Sequence, residues 1–174
     1  MKKRRISTFD IARLGMLVAV CMILSWLEAQ IPAFFAVPGI KLGLTNLVVL
    51  LALYRMSASE ALAINFVRIM AVGFLFGNGM SIIYSLSGGL CSFAVMFLLK
   101  KTGKLRIFTV SMCGGIFHNI GQIIAAMIII DVKSVYYLPV LWVSGIAAGV
   151  VVGLICAECV KHLPDKLFRM NYSG

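Results

Sequence analysis

Six apolar runs of roughly 20 residues, parted by short polar turns, take up almost all of this 174-residue chain. A run of that length crosses a lipid bilayer as a helix. Lipid offers the backbone no hydrogen-bond partner, so only helices or closed barrels can span it. A barrel would show alternating segments of about ten residues, and none is present. The sequence therefore predicts an all-α integral membrane protein, a single transmembrane domain over residues 1–174. Its six spans run over about 9–31, 40–54, 58–76, 80–99, 105–130 and 135–160. A hydrophobic content of 61%, 13% charged residues and a mean hydropathy of +1.03 place it well outside soluble domains.

The net charge of +10 would point to nucleic acid in a soluble protein, but its placement at span ends makes it a topology signal. All but three of the 16 Lys and Arg fall at the N-terminus and start of span 1, the 2–3 turn, the 4–5 loop or the C-terminus. The exceptions are Lys41 and Lys133 on the opposite side and Arg68 inside span 3. The positive-inside rule then makes both termini cytoplasmic and the number of spans even. Lys2-Lys3-Arg4-Arg5 before an apolar run is also how a signal peptide begins. Here Asp10 and Arg13 interrupt the expected core and the stretch from Leu14 is too long, which predicts an uncleaved first span.

Polar groups within the spans must face protein, water or a ligand. In Gly114-Gly115-Ile116-Phe117-His118-Asn119-Ile120-Gly121-Gln122, the imidazole and two carboxamides are spaced i, i+3 and i, i+4, so one narrow stripe can present all three. At about 1.5 Å per residue, His118 lies about 20 Å from the cytoplasmic start of span 5 and Arg68 about 15 Å into span 3. Asn46 lies about 9 Å below the outer end of span 2. Lys41, Tyr84 and Trp142 map to the same outer half, whereas the cytoplasmic halves are almost purely Leu, Ile, Val, Ala and Met. A channel or proton relay needs polar groups along its whole length, so the asymmetry implies a pocket open to the outside.

Asn46 and Asn119 have a second reading as interhelical glue. Arg68 has no such simple alternative. A guanidinium near the midplane costs several kcal/mol, and no acid lies at its depth, since Glu28 and Asp131 sit at outer span ends and Glu60 and Glu158 at cytoplasmic ends. Carbonyls, water or an anionic ligand are left as its partners. Two small-residue patterns complete the picture: Ala12, Gly15 and Ala19 on one face of span 1, and Gly145, Gly149 and Gly153 on one stripe of span 6, each able to admit another helix closely. Between spans 1 and 2, the apolar stretch 32–39 reads either as a lid dipping into the outer interface or as an ordinary interfacial turn.

Catalytic signatures are absent. The aspartates are Asp10, Asp131 and Asp165, so no DDxxD-type diphosphate–magnesium site exists, and there is no P-loop and no GxSxG. The five cysteines lie in or beside spans without a CxxC or paired His, which supports neither a metal site nor a disulfide framework. No cofactor is implied, and His162 reads as an interfacial residue.

Pro38-Gly39-Ile40-Lys41-Leu42-Gly43-Leu44-Thr45-Asn46, the Arg68 span and His118-Asn119-Ile120-Gly121-Gln122 together resemble the bacterial membrane family described both as heptaprenyl diphosphate synthase component I and as Gx transporter. The resemblance runs over about Ala12 to Gly153. That family is in turn similar to the substrate-binding S-components of energy-coupling-factor (ECF) importers of the bacterial cell membrane. The resemblance implies capture of a small molecule from outside; Lys41, Asn46, Arg68, His118, Asn119 and Gln122 are the expected polar lining, with Tyr84 and Trp142 as aromatic walls, and Arg68 and Lys41 favour an anionic group on the ligand. It also implies docking, through Ala12, Gly15 and Ala19, to a coupling transmembrane subunit driven by two ATPases; Gly15 stands where an Ala is typical, and small size is kept. The alternative it implies is a non-catalytic membrane subunit of a prenyl diphosphate synthase, since chain elongation itself needs acidic clusters that hold metal and diphosphate.

Overall fold

A computed structural model describes residues 8–30, 43–130, 136, 138–164 and 167–168. Six helices follow one another: α1 (Thr8–Gln30), α2 (Leu44–Arg55), α3 (Ala58–Phe76), α4 (Gly79–Thr102), α5 (Ile107–Ile129) and α6 (Leu138–His162). No strand occurs among the described residues. Five of the helices are long and apolar enough to cross a membrane, and the chain is a multi-pass membrane protein. The exception is α2, whose 12 residues rise only about 18 Å against a hydrocarbon core of about 30 Å. The apolar stretch 32–39 and Lys41 lie outside the described residues.

Local chemistry sets the helix edges. Ser57 and Glu60 form a capping box at the start of α3, the Ser57 hydroxyl accepting from the Glu60 amide and the Glu60 carboxylate from the Ser57 amide at 2.9 Å. Asn78 caps α4 by accepting from the Ser81 amide at 2.8 Å. Gly43, with φ 72°, turns the chain into α2 through the left-handed region that a side chain would resist.

The short α2 is apolar on every side, and it is enclosed accordingly. Val48 to Leu53 are each at most 8% exposed, packed by α1, α3 and α6. Around it α3, α4, α5 and α6 follow in order, and α6 returns to α2. α1 lies against α2 and α3, burying Asp10, Arg13, Leu17 and Cys21. Large apolar side chains such as Phe74, Ile128 and Val143 point outward, as lipid-facing residues do.

Lipid gives helices no hydrophobic reason to associate, so close backbone approach has to supply the packing. α5 meets both neighbours this way. On α6, a Cβ at Gly149 would lie 2.7 Å from the Met112 Cα and one at Gly153 2.5 Å from the Phe108 Cα, while Gly145 abuts Gly115. On α4, a Cβ at Gly88 would lie 2.7 Å from the His118 carbonyl oxygen, and one at Gly121 of α5 would lie 2.6 Å from that of Ser87. These pairings run in opposite chain directions, so α4, α5 and α6 alternate up and down.

One end of the bundle gathers the cations. Arg55 donates to the carbonyls of Val160 and, at 3.0 Å, Leu163, and Lys100 donates to the Leu53 carbonyl while lying 5.4 Å over the Tyr54 ring. The carbonyls at the ends of α2 and α6, which have no partner within their own helices, are thus satisfied. The opposite end carries the start of α2 and the features described next.

Candidate functional site

Arg68 is buried in α3 and all its hydrogen bonds go to neutral oxygens. Its Nε and Nη2 both donate to Asn65 Oδ1, at 3.1 and 2.9 Å, a two-pronged contact from one turn earlier on the same helix. Nη1 donates to Thr45 Oγ1 at 2.7 Å and Nη2 also to Asn46 Oδ1 at 3.1 Å. Four of the five guanidinium N–H groups are thereby used, leaving one on Nη1. Thr45 and Asn46 belong to the first turn of α2, so that turn and α3 hold the cation between them. Asn46 is the half-buried member of the group, and the cluster is most open on its side.

Asn65, 2% exposed, also donates from Nδ2 to the Gly89 carbonyl of α4 at 3.2 Å. Gly89 makes room for it: a Cβ there would stand 3.3 Å from Asn65 Nδ2 and 2.8 Å from Ile69 Cδ1. Arg68 and Asn65 thus tie α2, α3 and α4 together, through oxygens that carry no formal charge. In a low-dielectric interior a guanidinium is normally met by a carboxylate fork.

Among the described residues, the carboxylate that acts on Arg68 is that of Glu28, near the end of α1, whose Oε1 accepts from the Gly43 amide at 2.7 Å. The Asn46 amide in turn donates to the Gly43 carbonyl at 2.8 Å, so Glu28 and Arg68 both grip the first turn of α2, from different helices. Their charges are close enough to interact, but no hydrogen bond or ion pair joins them. The expectation that no acid shares the depth of Arg68 is corrected by this arrangement. Counting along each helix ignored that two long side chains from different heights converge on α2.

The stripe on α5 divides. His118 and Gln122 face α4, where a Cβ at Gly88 would meet the His118 Cε1 at 3.1 Å and the Gln122 Cγ at 2.9 Å. Asn119 turns the other way and donates to the Leu141 carbonyl of α6. The three therefore do not share one narrow face, and Asn119 takes the interhelical role left open for it. Because Gly88 meets His118 and Gly89 meets Asn65, two adjacent glycines of α4 separate the α5 pair from the Arg68 cluster. The Tyr84 hydroxyl, one turn before Gly88, is buried with no hydrogen-bond partner among the described residues. Trp142 is 44% exposed at the start of α6.

Of the residues picked out by sequence, Arg68 and Asn46 are brought into contact, and Lys41 lies outside the described residues. Thr45 and Asn65 were not anticipated. The i, i+3 spacing of Asn65 and Arg68, and the adjacency of Thr45 to Asn46, were the signals that could have found them. On α1, Ala12, Gly15 and Ala19 are exposed, and a Cβ at Gly15 would meet nothing within 4 Å. No group of three metal-ligating side chains occurs among the described residues, and Cys21, Cys91, Cys113, Cys156 and Cys159 are free thiols.

Compared with known proteins, the chain matches the family model described as heptaprenyl diphosphate synthase component I over residues 17–159. No curated protein and no solved structure matches it.

Proposed function

The chain belongs to the heptaprenyl diphosphate synthase component I family, and on that premise we propose that it is a substrate-capturing membrane subunit, an S-component of an ECF-type importer. It takes a small molecule with an anionic group from the outer side of the membrane. The observation that carries this reading is Arg68, a buried cation held in place by four hydrogen bonds to neutral oxygens. Its hydrogen bonds to Asn65, Thr45 and Asn46 position the guanidinium and bring no carboxylate into contact with it. Asn46 completes the polar end of the site, with Tyr84, His118 and Gln122 beyond the Gly88-Gly89 pair; Lys41, a candidate from the sequence, lies outside the described residues. Trp142 and Asn119 belong to the periphery in this reading.

The cation-rich end with Arg55 and Lys100 is the cytoplasmic one by the positive-inside rule, which puts the Arg68 cluster on the outer half and both termini inside. The exposed Ala12, Gly15 and Ala19 face supports docking to a coupling subunit, because a flat, small-residue helix face can be approached closely by another helix. Two ATPases on that subunit would then supply the energy.

The family description favours a second reading, a membrane subunit of a prenyl diphosphate synthase that does no chemistry of its own. Affinity purification of the full chain from its native membrane separates the two. Recovery of a coupling membrane protein with a pair of ATPases supports the importer reading. A soluble prenyltransferase in their place supports the second.

A further inference from the structure

Arg68 and Glu28 are the two opposite charges gripping one turn, yet they are kept apart. Glu28 Oε1 is occupied by the Gly43 amide, and its Oε2 makes no hydrogen bond among the described residues. Arg68 retains one N–H on Nη1, and Asn46 retains its amide donors beside Nη2. Arg68 is buried and Glu28 half-buried, and no hydrogen bond or ion pair joins them. Instead neutral oxygens fill the guanidinium on three sides and a backbone amide holds the carboxylate. The result is a positive and a negative group held by separate hydrogen bonds to residues 43–46.

From this arrangement we infer that the captured molecule is a small zwitterion of the amino-acid type, its carboxylate received by Arg68 and Asn46 and its ammonium by Glu28. This rests on the capture reading and names the substrate class for the same site. A simple anion would satisfy Arg68 but would lie beside the Glu28 carboxylate and be repelled by it. A simple cation would meet the reverse difficulty at Arg68. Only a ligand with both charges leaves neither group uncompensated.

Full-length protein in lipid nanodiscs, probed by native mass spectrometry and then by titration, tests the assignment. The probes are the proteinogenic amino acids, their N-acetylated forms, which are anions, and their carboxamides, which are cations. At least one free amino acid is expected to bind, with its N-acetylated and carboxamide forms at least tenfold weaker. Glu28→Gln keeps an oxygen for the Gly43 amide and removes only the charge; it is expected to weaken the amino acid at least tenfold and to narrow its advantage over the N-acetylated form. The inference is overturned if no free amino acid binds, if the N-acetylated form binds as tightly, or if Glu28→Gln changes nothing. An anion that binds the native chain and is lost in Arg68→Ala would sink the zwitterion while leaving the capture site standing. Absence of any Arg68-dependent ligand would count against both.

Discussion

A single carboxamide decides how Arg68 is used. Asn65 Oδ1 accepts from both Nε and Nη2, and its Nδ2 reaches the Gly89 carbonyl, so one side chain serves two helices. Asn65→Leu removes the acceptor and leaves buried donors unmet, which should cost about 1–3 kcal/mol in unfolding measured in detergent micelles. Asn65→Asp keeps the acceptor and adds a counter-charge. It should fold at least as well as Asn65→Leu yet lose affinity for an anionic group, because the guanidinium is now neutralised in place; a variant that folds and binds normally would show that the neutrality of the cluster has no functional meaning. At this scale the sequence made half of the hydrogen-bonded cluster legible, Arg68 and Asn46. An Arg in a membrane span is anomalous enough to be noticed, and so is an Asn beside it in depth. Thr45 and Asn65 are common helix residues whose roles appear only when α2 and α3 are laid together. On α5, consecutive residues point about 100° apart, so His118 and Asn119 meet different helices even though Asn119 and Gln122 are an i, i+3 pair.

Among elements, small residues do two different jobs that sequence alone does not distinguish. The glycines at 145, 149 and 153 are filled by the backbone of α5, whereas Gly15 on α1 faces open space. Gly149→Val should therefore push α6 from Met112 and lower stability by about 1–3 kcal/mol, the usual toll of overpacking, read as a drop in melting temperature. Gly15→Leu should leave melting temperature and ligand binding unchanged while abolishing co-purification with a coupling subunit; loss of stability instead would mean that the face packs within the chain. The every-fourth-residue glycines were visible in the sequence as a close-contact stripe. Their partner was not, because periodicity marks a face without saying what covers it.

At the scale of the whole molecule, run lengths and turns made six helices legible. What they did not reveal is that the shortest one is the centre. An apolar run of 12 residues looks like an incomplete span, and in a membrane protein an apolar surface fits contact with lipid as well as burial; its enclosure by α1, α3 and α6 is seen only in the packed bundle. The first turn of α2 is where α1 and α3 bring Glu28 and Arg68, while α4 joins the cluster through the Asn65–Gly89 hydrogen bond. Among the described residues the basic side chains crowd the far end, so the molecule is polar in different ways at its two ends: a cationic belt at one, a caged guanidinium toward the other. The central claim is that this caged charge holds a captured molecule, and mass spectrometry of small molecules released from the purified full chain and from its Arg68→Ala variant tests it most directly. A compound present in stoichiometric amount with the native chain and absent from an equally well inserted variant is predicted; equal recovery from both, or from neither, would contradict it.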